Sequence, residues 1–320
     1  MIEQLVENLF QQSRADVARA ISIVERGGTD ANDLLQKIYP RTGHAWRIGI
    51  TGPPGAGKST LTAELAKALS SANYSVAIVA VDPTSPFTNG AVLGDRIRMP
   101  EIDQLDNVFI RSMATRGNSG GLSAKTSDVV DVFDAAAYDY IFIESVGVGQ
   151  VELQIEKVVD STIVVLVPES GDQVQAIKAG LMEIADIYVL NKADRPGSNT
   201  VLQALYAALS FKGKHNHDWD TQIVSTVASE GIGVEELIAL VDSHRVFLES
   251  AGRLEEKRTK RLKERIRNKV YDLIGESLWN TERQAMLQQL LQETSEEKES
   301  PNSSAIKILQ HYLDGQKQKR

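Results

Sequence analysis

The 320-residue chain contains no cysteine. That absence excludes a disulfide framework, thiolate metal sites, a thiol nucleophile and an iron–sulfur cluster. Basic charge is also in deficit: 35 Lys and Arg against 43 Asp and Glu leave a formal net charge of -8. Phosphate-coated surfaces repel an acidic protein, so neither a nucleic acid nor a membrane is expected as a partner. No apolar run approaches the ~20 residues that span a bilayer. The opening segment MIEQLVENLF lacks the basic start and apolar core of a signal peptide. A soluble, cytoplasmic protein is expected. Hydrophobic residues at 42% and charged residues at 24% match a globular chain rather than a disordered one. The length allows one large or two modest domains.

Three regions follow from the hydrophobic pattern. Residues 1–45 read as helical: Leu5, Leu9, Val17, Ile21 and Val24 recur at helical spacing, and Gly27-Gly28 breaks the run. A further short helix is expected from Asn32 to Tyr39, ended by Pro40. Residues 46–250 alternate short apolar runs with helices. The expected strands are Ile48–Thr51, Val76–Val81, Val108–Arg111, Tyr140–Glu144, Ile163–Val167, Ile187–Asn191 and Ile223–Ser225. Most are near-continuous β-branched runs, as in strands buried on both faces of a parallel sheet. This predicts an α/β fold with a mostly parallel central sheet flanked by helices, whose ligands bind beyond the carboxyl ends of the strands. The third region, 251–320, returns to helix over 251–293, with Leu262, Ile266, Val270, Ile274 and Leu278 stepping by four. A polar break, SEEKESPNSS, precedes a last helical stretch from Ala305 to Leu313, and the basic tail QKQKR is expected to be disordered. The Lys and Arg residues between Arg253 and Lys269 are interleaved with Glu and read as a solvated face.

The segment Gly52-Pro53-Pro54-Gly55-Ala56-Gly57-Lys58-Ser59 matches G-x-x-x-x-G-K-[ST] completely. It follows an expected strand and opens a helix through Leu61, Leu65 and Leu69, the context a phosphate-binding loop requires. Glycines let backbone N–H groups curl around phosphate oxygens, and the helix N-terminus adds a favourable field. Gly55, Ala56, Gly57, Lys58, Ser59 and Thr60 are therefore the phosphate-binding candidates. Lys58 is expected to reach the β- and γ-phosphates and Ser59 to ligate Mg²⁺.

Asn191-Lys192-Ala193-Asp194 closes the strand Ile187–Asn191. A carboxylate there accepts two hydrogen bonds from guanine N1 and N2, and adenine has no such donor pair. An unpaired polar group is costly, so discrimination is large. The bound nucleotide is expected to be GTP or GDP, with Asn191 and Lys192 bracing base and loop. Asp82 in VDPTS, Asp95 in GDRIRM and Glu144 in IFIE sit at strand ends or in loops and join Ser59 as candidate Mg²⁺ ligands, direct or through water. Gly147-Val148-Gly149 after Glu144 supplies a loop able to sense the γ-phosphate. A third polar loop, 169–175, leads to Lys178.

Together, GPPGAGKST, VDPTSPF, LGDRIRM, ESVGVGQ, GDQVQAIKAGLMEIAD and NKAD resemble the MeaB/ArgK group of P-loop GTPases, the methylmalonyl-CoA mutase-associated GTPases. The resemblance covers roughly residues 40–250. It implies a dimeric G domain over 46–250, Mg²⁺ held around Ser59 with Asp82, Asp95 and Glu144, and a third switch at Gly171–Lys178. The apolar stripe at 254–278 suits either packing on the G domain or pairing of two chains, and the resemblance implies that 251–320 serves as a dimerisation arm. The implied client is an adenosylcobalamin-dependent acyl-CoA mutase whose cofactor loading the GTPase gates and which it protects. Some positions depart from the group. Ser145 and Val151 stand where Thr and Ser are common, Asn89-Gly90 where a Gly pair is common, and Val227-Ala228 replaces the usual Ser-Ala against guanine. The Ala228 N–H remains to contact O6.

Hydrolysis needs mainly positioning and charge neutralisation. Val148 follows Gly147 where Ras-like proteins place a water-positioning Gln; Gln150 is a nearby candidate. Lys178, Arg96 and Arg98 are candidate charge stabilisers. Lys58, Glu144, Gln150 and Lys178 are thus the catalytic set, with slow basal turnover expected until a client or second protomer completes the site. Two other functions compete. A kinase needs an acceptor pocket and a base, and no segment is dedicated to either. A nickel metallochaperone is disfavoured by the absence of cysteine and by scattered histidines, with His215 and His217 the one close pair.

Overall fold

The computed structural model describes residues 2–82, 99–114, 124–145, 154–168, 182–211, 219–295 and 299–317. All seven expected strands are present: β1 (Trp46–Thr51), β2 (Val76–Asp82), β3 (Val108–Ala114), β4 (Tyr140–Glu144), β5 (Ser161–Leu166), β6 (Ile187–Asn191) and β7 (Gln222–Thr226). They form one sheet in the order β3-β2-β4-β1-β5-β6-β7, and every pairing is parallel. Between β1 and its two neighbours the winding reverses direction: β2, β3 and β4 lie on one side, β5 to β7 on the other. In such sheets the ligand crevice opens outside the strand ends at that reversal, which here is the carboxyl end of β1.

Alternate residues of each strand face opposite layers. Ile48 and Ile50, Ile78, Phe142, Val165 and Val189 pack with Leu61 and Leu65 of α4 (Lys58–Ser71) and with Leu237 and Val241 of a later helix (Val234–Glu249). On the other face, Val79, Ile143, Val164 and Leu190 meet Val129 and Phe133 of the helix Ala124–Ala135. The same layer takes in α1 (Ile2–Phe10), α2 (Arg14–Arg26) and α3 (Thr29–Ile38) through Leu9, Val17, Ile21 and Leu34. The sheet is therefore buried on both sides, as its continuous apolar strands require.

The chain divides into two compact units, Met1–Thr259 and Lys260–Arg320. The N-terminal helices belong to the first. The helical pattern of the first 26 residues is interrupted earlier than the glycine pair suggests. Gln12 adopts φ 57°, and the Ser13 hydroxyl donates to Asp16 at 2.9 Å, starting α2 afresh. In the second unit, the helix Arg253–Leu278 stops at Trp279-Asn280, where Asn280 Oδ1 accepts the Arg283 N–H at 2.9 Å and caps the helix Thr281–Ser295. That break replaces the continuous helix expected to about 293. The last helix, Pro301–Lys317, opens on proline, whose missing N–H costs nothing there. Leu290 and Ile308 are buried within this unit, whereas Leu262, Ile266, Val270 and Ile274 are exposed. Among the described residues, no helix is long and apolar enough to cross a membrane.

The amino-terminal edge of the sheet is fixed by charge. Arg47 on β1 is buried and donates to Asp131 at 3.0 Å and to Asp134 at 2.8 Å. Burial opposes its charge, but Asp131, Asp134 and Asp160 outweigh that and raise its pKa. Asp134 also accepts the backbone N–H groups of Gly43, His44 and Ala45 at 2.8–3.0 Å. Asp160, just before β5, takes Arg258 at 2.8 Å, while Lys257 donates to its carbonyl at 2.7 Å. Nearby, His244 is buried with Nδ1 2.8 Å from Ser161 Oγ, and burial lowers its pKa against the pull of Asp186. Removing one member of a buried ion pair leaves the other charge uncompensated, at about 3–5 kcal/mol. Asp134→Ala is accordingly expected to lower unfolding stability by about that amount in urea denaturation. A loss under ~1 kcal/mol would mean the network is solvated in solution.

Candidate functional site at the carboxyl edge

Beyond β1 the chain turns through the loop Gly52–Gly57 into α4. Two glycines are demanded by close approach. A Cβ on Gly52, at φ 137°, would lie 2.1 Å from the Val165 carbonyl oxygen; one on Gly57, at φ 85°, would lie 2.3 Å from Asn191 Nδ2. The loop's carbonyls are tied down from outside. Lys58 Nζ donates to the Gly52 and Pro53 oxygens at 2.9 and 3.0 Å. Lys192 Nζ donates to Gly55 O at 2.8 Å, and Asn191 Nδ2 to Ala56 O at 2.9 Å. A peptide plane with its carbonyl held on one side turns its N–H to the other. With the Gly55 carbonyl on Lys192, the Ala56 N–H reaches Pro53 O at 3.3 Å. With the Ala56 carbonyl on Asn191, the Gly57 N–H turns away from that side chain, at the N-terminus of α4 where an anion is favoured.

Ser59 lies half-buried on the first turn of α4 and donates to Glu144 Oε1 at 2.6 Å; Thr60 is exposed beside it. Glu144, at the end of β4, is 5% exposed, and its other oxygen, Oε2, accepts from Thr62 Oγ1 at 3.1 Å. The next residue, Ser145, donates to Thr51 Oγ1 at 2.8 Å. The Ser145 hydroxyl therefore joins the residue after β4 to the end of β1.

Asn191 connects three segments. Besides reaching Ala56, its Oδ1 accepts from Thr226 Oγ1 and from the Ala228 N–H, both at 3.1 Å. Lys192 sits at φ 55°, a left-handed conformation that side chains rarely adopt and that clusters at ligand sites. Ala193 N donates to Thr226 O at 3.1 Å, and Asp194 stands exposed in the turn beyond. The structure thus brings Gly55, Ala56, Gly57, Lys58, Ser59, Asn191, Lys192, Ala228 and Glu144 to one edge.

Asp82 ends β2 on the same edge, but its side chain lies outside the described set. Asp95, Arg96, Arg98, Gln150, Lys178, the segments 147–149 and 171–178, Asn89, Val151, His215 and His217 also lie outside the described residues. Thr51, Thr62 and Thr226 had no place in the motif reading. Each is a buried hydroxyl whose value comes from a partner distant in sequence, so spacing alone gave no signal.

The donor set suits a hard divalent cation. Ser59 Oγ and the Glu144 carboxylate are oxygen ligands of the kind Mg²⁺ takes, with the remaining positions left to phosphate and water. Among the described residues, no three His, Cys, Asp or Glu side chains converge as a metal site.

A parallel α/β sheet with a G-x-x-x-x-G-K-S loop between its central strand and the next helix defines a P-loop nucleoside triphosphatase. More closely, the chain belongs to the MeaB family, described as methylmalonyl-CoA mutase-associated GTPases, whose model matches residues 17–283. It is 45% identical over 317 residues to a Pyrococcus abyssi protein named "Putative GTPase", covering 98% of each chain. It is 32% identical over 276 residues to the mouse mitochondrial methylmalonic aciduria type A homolog, covering 80% of this chain and 66% of that one. Among solved structures, one described as LAO/AO transport system kinase superposes with a TM-score of 0.73 at 26% identity, covering 98% of this chain and 97% of the other.

Asn191 cannot keep its place beside a methyl group at 57. Gly57→Ala is expected to speed amide exchange at Ala228 about fivefold, the equivalent of one ~1 kcal/mol hydrogen bond, with β1 and β4 unchanged. Unaltered exchange at Ala228 would show that the two loops are not fastened together.

Proposed function

We propose that the chain binds GTP with Mg²⁺ at the carboxyl edge of the sheet and hydrolyses it slowly to GDP and phosphate. As a homodimer, it acts as a regulatory chaperone of an adenosylcobalamin-dependent acyl-CoA mutase, gating cofactor loading and protecting the enzyme. The observation that carries the nucleotide reading is the side chain of Asn191, which hydrogen-bonds the phosphate loop and the Thr226–Ala228 segment at once. The mutase reading is supported by the family's description and by the name of the mouse relative.

Each residue then has a task. Lys58 exchanges two carbonyl partners for phosphate oxygens between the β and γ positions. The N–H groups of Gly55 to Thr60 surround the phosphates. Asp194 pairs with guanine N1 and N2 and Lys192 braces the base with its stem. The Ala228 N–H, expected at O6, is instead committed to Asn191 Oδ1, so Ala228 sets the position of the 226–228 segment beside the base. Ser59 and Glu144 hold Mg²⁺, directly or through water, with Asp82 and Asp95. Mg²⁺ held there would supply positive charge against the phosphate oxygens. Gln150 and Lys178 are the candidates for placing water and stabilising charge. The acyl-CoA mutase contact is assigned to Gly171–Lys178, and the dimer contact to 251–320.

A second reading follows from the kinase description of the similar structure: transfer of the γ-phosphoryl group to a hydroxyl of another protein. One assay separates the two. Purified protein is given labelled GTP or ATP, alone and with a cobalamin-dependent acyl-CoA mutase from the same source. The expected result is phosphate release from GTP alone, slow in isolation and stimulated at least about tenfold by the mutase, below the range arginine fingers reach. Label on a protein acceptor would favour the kinase. Preference for ATP would overturn the assignment of Asp194.

A further inference from the structure

We propose that Thr62 is a positioning residue for Glu144, holding one carboxylate oxygen so that the other is presented to Ser59. This rests on the reading of the edge as a Mg²⁺-dependent guanine-nucleotide site, and it concerns a residue outside the phosphate-loop motif.

The geometry is specific. Thr62 is fully buried, three residues beyond Ser59 and hence on the same face of α4. Its Oγ1 lies 2.8 Å from the Lys58 carbonyl and 3.1 Å from Glu144 Oε2. Ser59 Oγ meets the opposite oxygen, Oε1, at 2.6 Å. One helix therefore grips both oxygens of a single carboxylate from the neighbouring strand.

Two-point attachment matters because the last torsion of a glutamate is broad and roughly two-fold. Held by Ser59 alone, the carboxylate can rotate about its own axis. With Oε2 fixed, Oε1 faces Ser59. A serine that offers its lone pairs to a cation must send its proton elsewhere, and Glu144 Oε1 is the acceptor in place. The one hydroxyl proton is shared between the Lys58 carbonyl and Glu144 Oε2, and the contact with the carbonyl four residues back selects one χ1 rotamer. A threonine that only packs against its own helix makes that same back-bond, but needs no second acceptor. The shared hydroxyl is what sets Thr62 apart.

The test uses the full-length protein and a fluorescent GDP analogue, with release rates measured across Mg²⁺ concentrations and in EDTA. Thr62→Val keeps the shape and removes the hydroxyl. It is expected to raise the Mg²⁺ concentration for half-maximal retention of GDP about tenfold, the scale of one hydrogen bond to a charged group. Affinity in EDTA is expected to stay within about twofold of wild type. Thr62→Ser, which restores the donor, should return the Mg²⁺ midpoint to within about twofold of wild type, a rescue that loss of packing would not give. Circular dichroism and thermal melting establish that each variant is folded, and Thr62→Ala serves as the second hydroxyl-free variant if valine is not accommodated.

A wild-type Mg²⁺ midpoint in the hydroxyl-free variant overturns the proposal, as does an equal loss of GDP with and without Mg²⁺. Wild-type protein that retains GDP identically in Mg²⁺ and EDTA would overturn the functional reading beneath it. Mg²⁺-dependent wild type beside an unchanged valine variant would sink this inference alone.

Discussion

The side-chain amide of Asn191 is the connection on which the nucleotide edge depends. It donates to the phosphate loop at Ala56 and accepts from Thr226 and Ala228 on the far side. An amide has donors and acceptors at fixed relative directions, so satisfying all three partners fixes the distance between the segment expected to meet phosphate and the one expected to meet base. Gly57 is a glycine because of it, and Lys192 takes its left-handed backbone beside it. Lys192 adds a second tie from the same segment to Gly55. The phosphate loop is held in shape by the base-side strand, and the site is assembled by the protein's own bonds.

The opposite end of the same strands is organised by a different physics. Arg47 at the start of β1 is enclosed by Asp131 and Asp134, and Asp160 accepts its backbone N–H at 3.2 Å. Asp160 receives Arg258 from the first turns of the helix Arg253–Leu278. Buried ion pairs contribute less net stability than their Coulomb energy suggests, because desolvation opposes it. Their effect here is register: the segment 43–45, the first strand and the root of that helix are each bonded to the same few carboxylates. A strand fixed at its amino end and continuous with the phosphate loop at its carboxyl end gives Thr51 and Gly52 little freedom.

Much of the fold was legible in the chain. All seven strands could be read, most of them as short β-branched runs, because a sheet buried on both faces has few polar positions to confuse the pattern. Strand ends were less clear: β5 begins at Ser161 rather than Ile163, since buried Ser161 and Thr162 look polar until their partners are known. Helix breaks at Gln12-Ser13 and Trp279-Asn280 escaped notice because they are made by serine and asparagine side chains rather than by glycine or proline. At the site, Ser59, Glu144 and Asn191 could be picked out as motif residues. Thr51, Thr62 and Thr226 could not, since a buried threonine is ordinary in sequence and becomes informative only when its acceptor comes from another strand. Leu262, Ile266, Val270 and Ile274 were legible as an apolar stripe, and they stand exposed.

The central claim is that the turn after β6 reads guanine through Asp194 while Asn191 and Lys192 hold it against the phosphate loop. The most direct test replaces Asp194 with asparagine and compares binding of GTP and xanthosine triphosphate. Xanthine offers an acceptor at C2 where guanine offers a donor, so an asparagine amide complements it as a carboxylate complements guanine. The account predicts that wild-type protein prefers GTP by on the order of a thousandfold or more and that Asp194→Asn reverses the preference. Wild-type preference for ATP, or a substitution that leaves the GTP-to-XTP ratio unchanged, would contradict it.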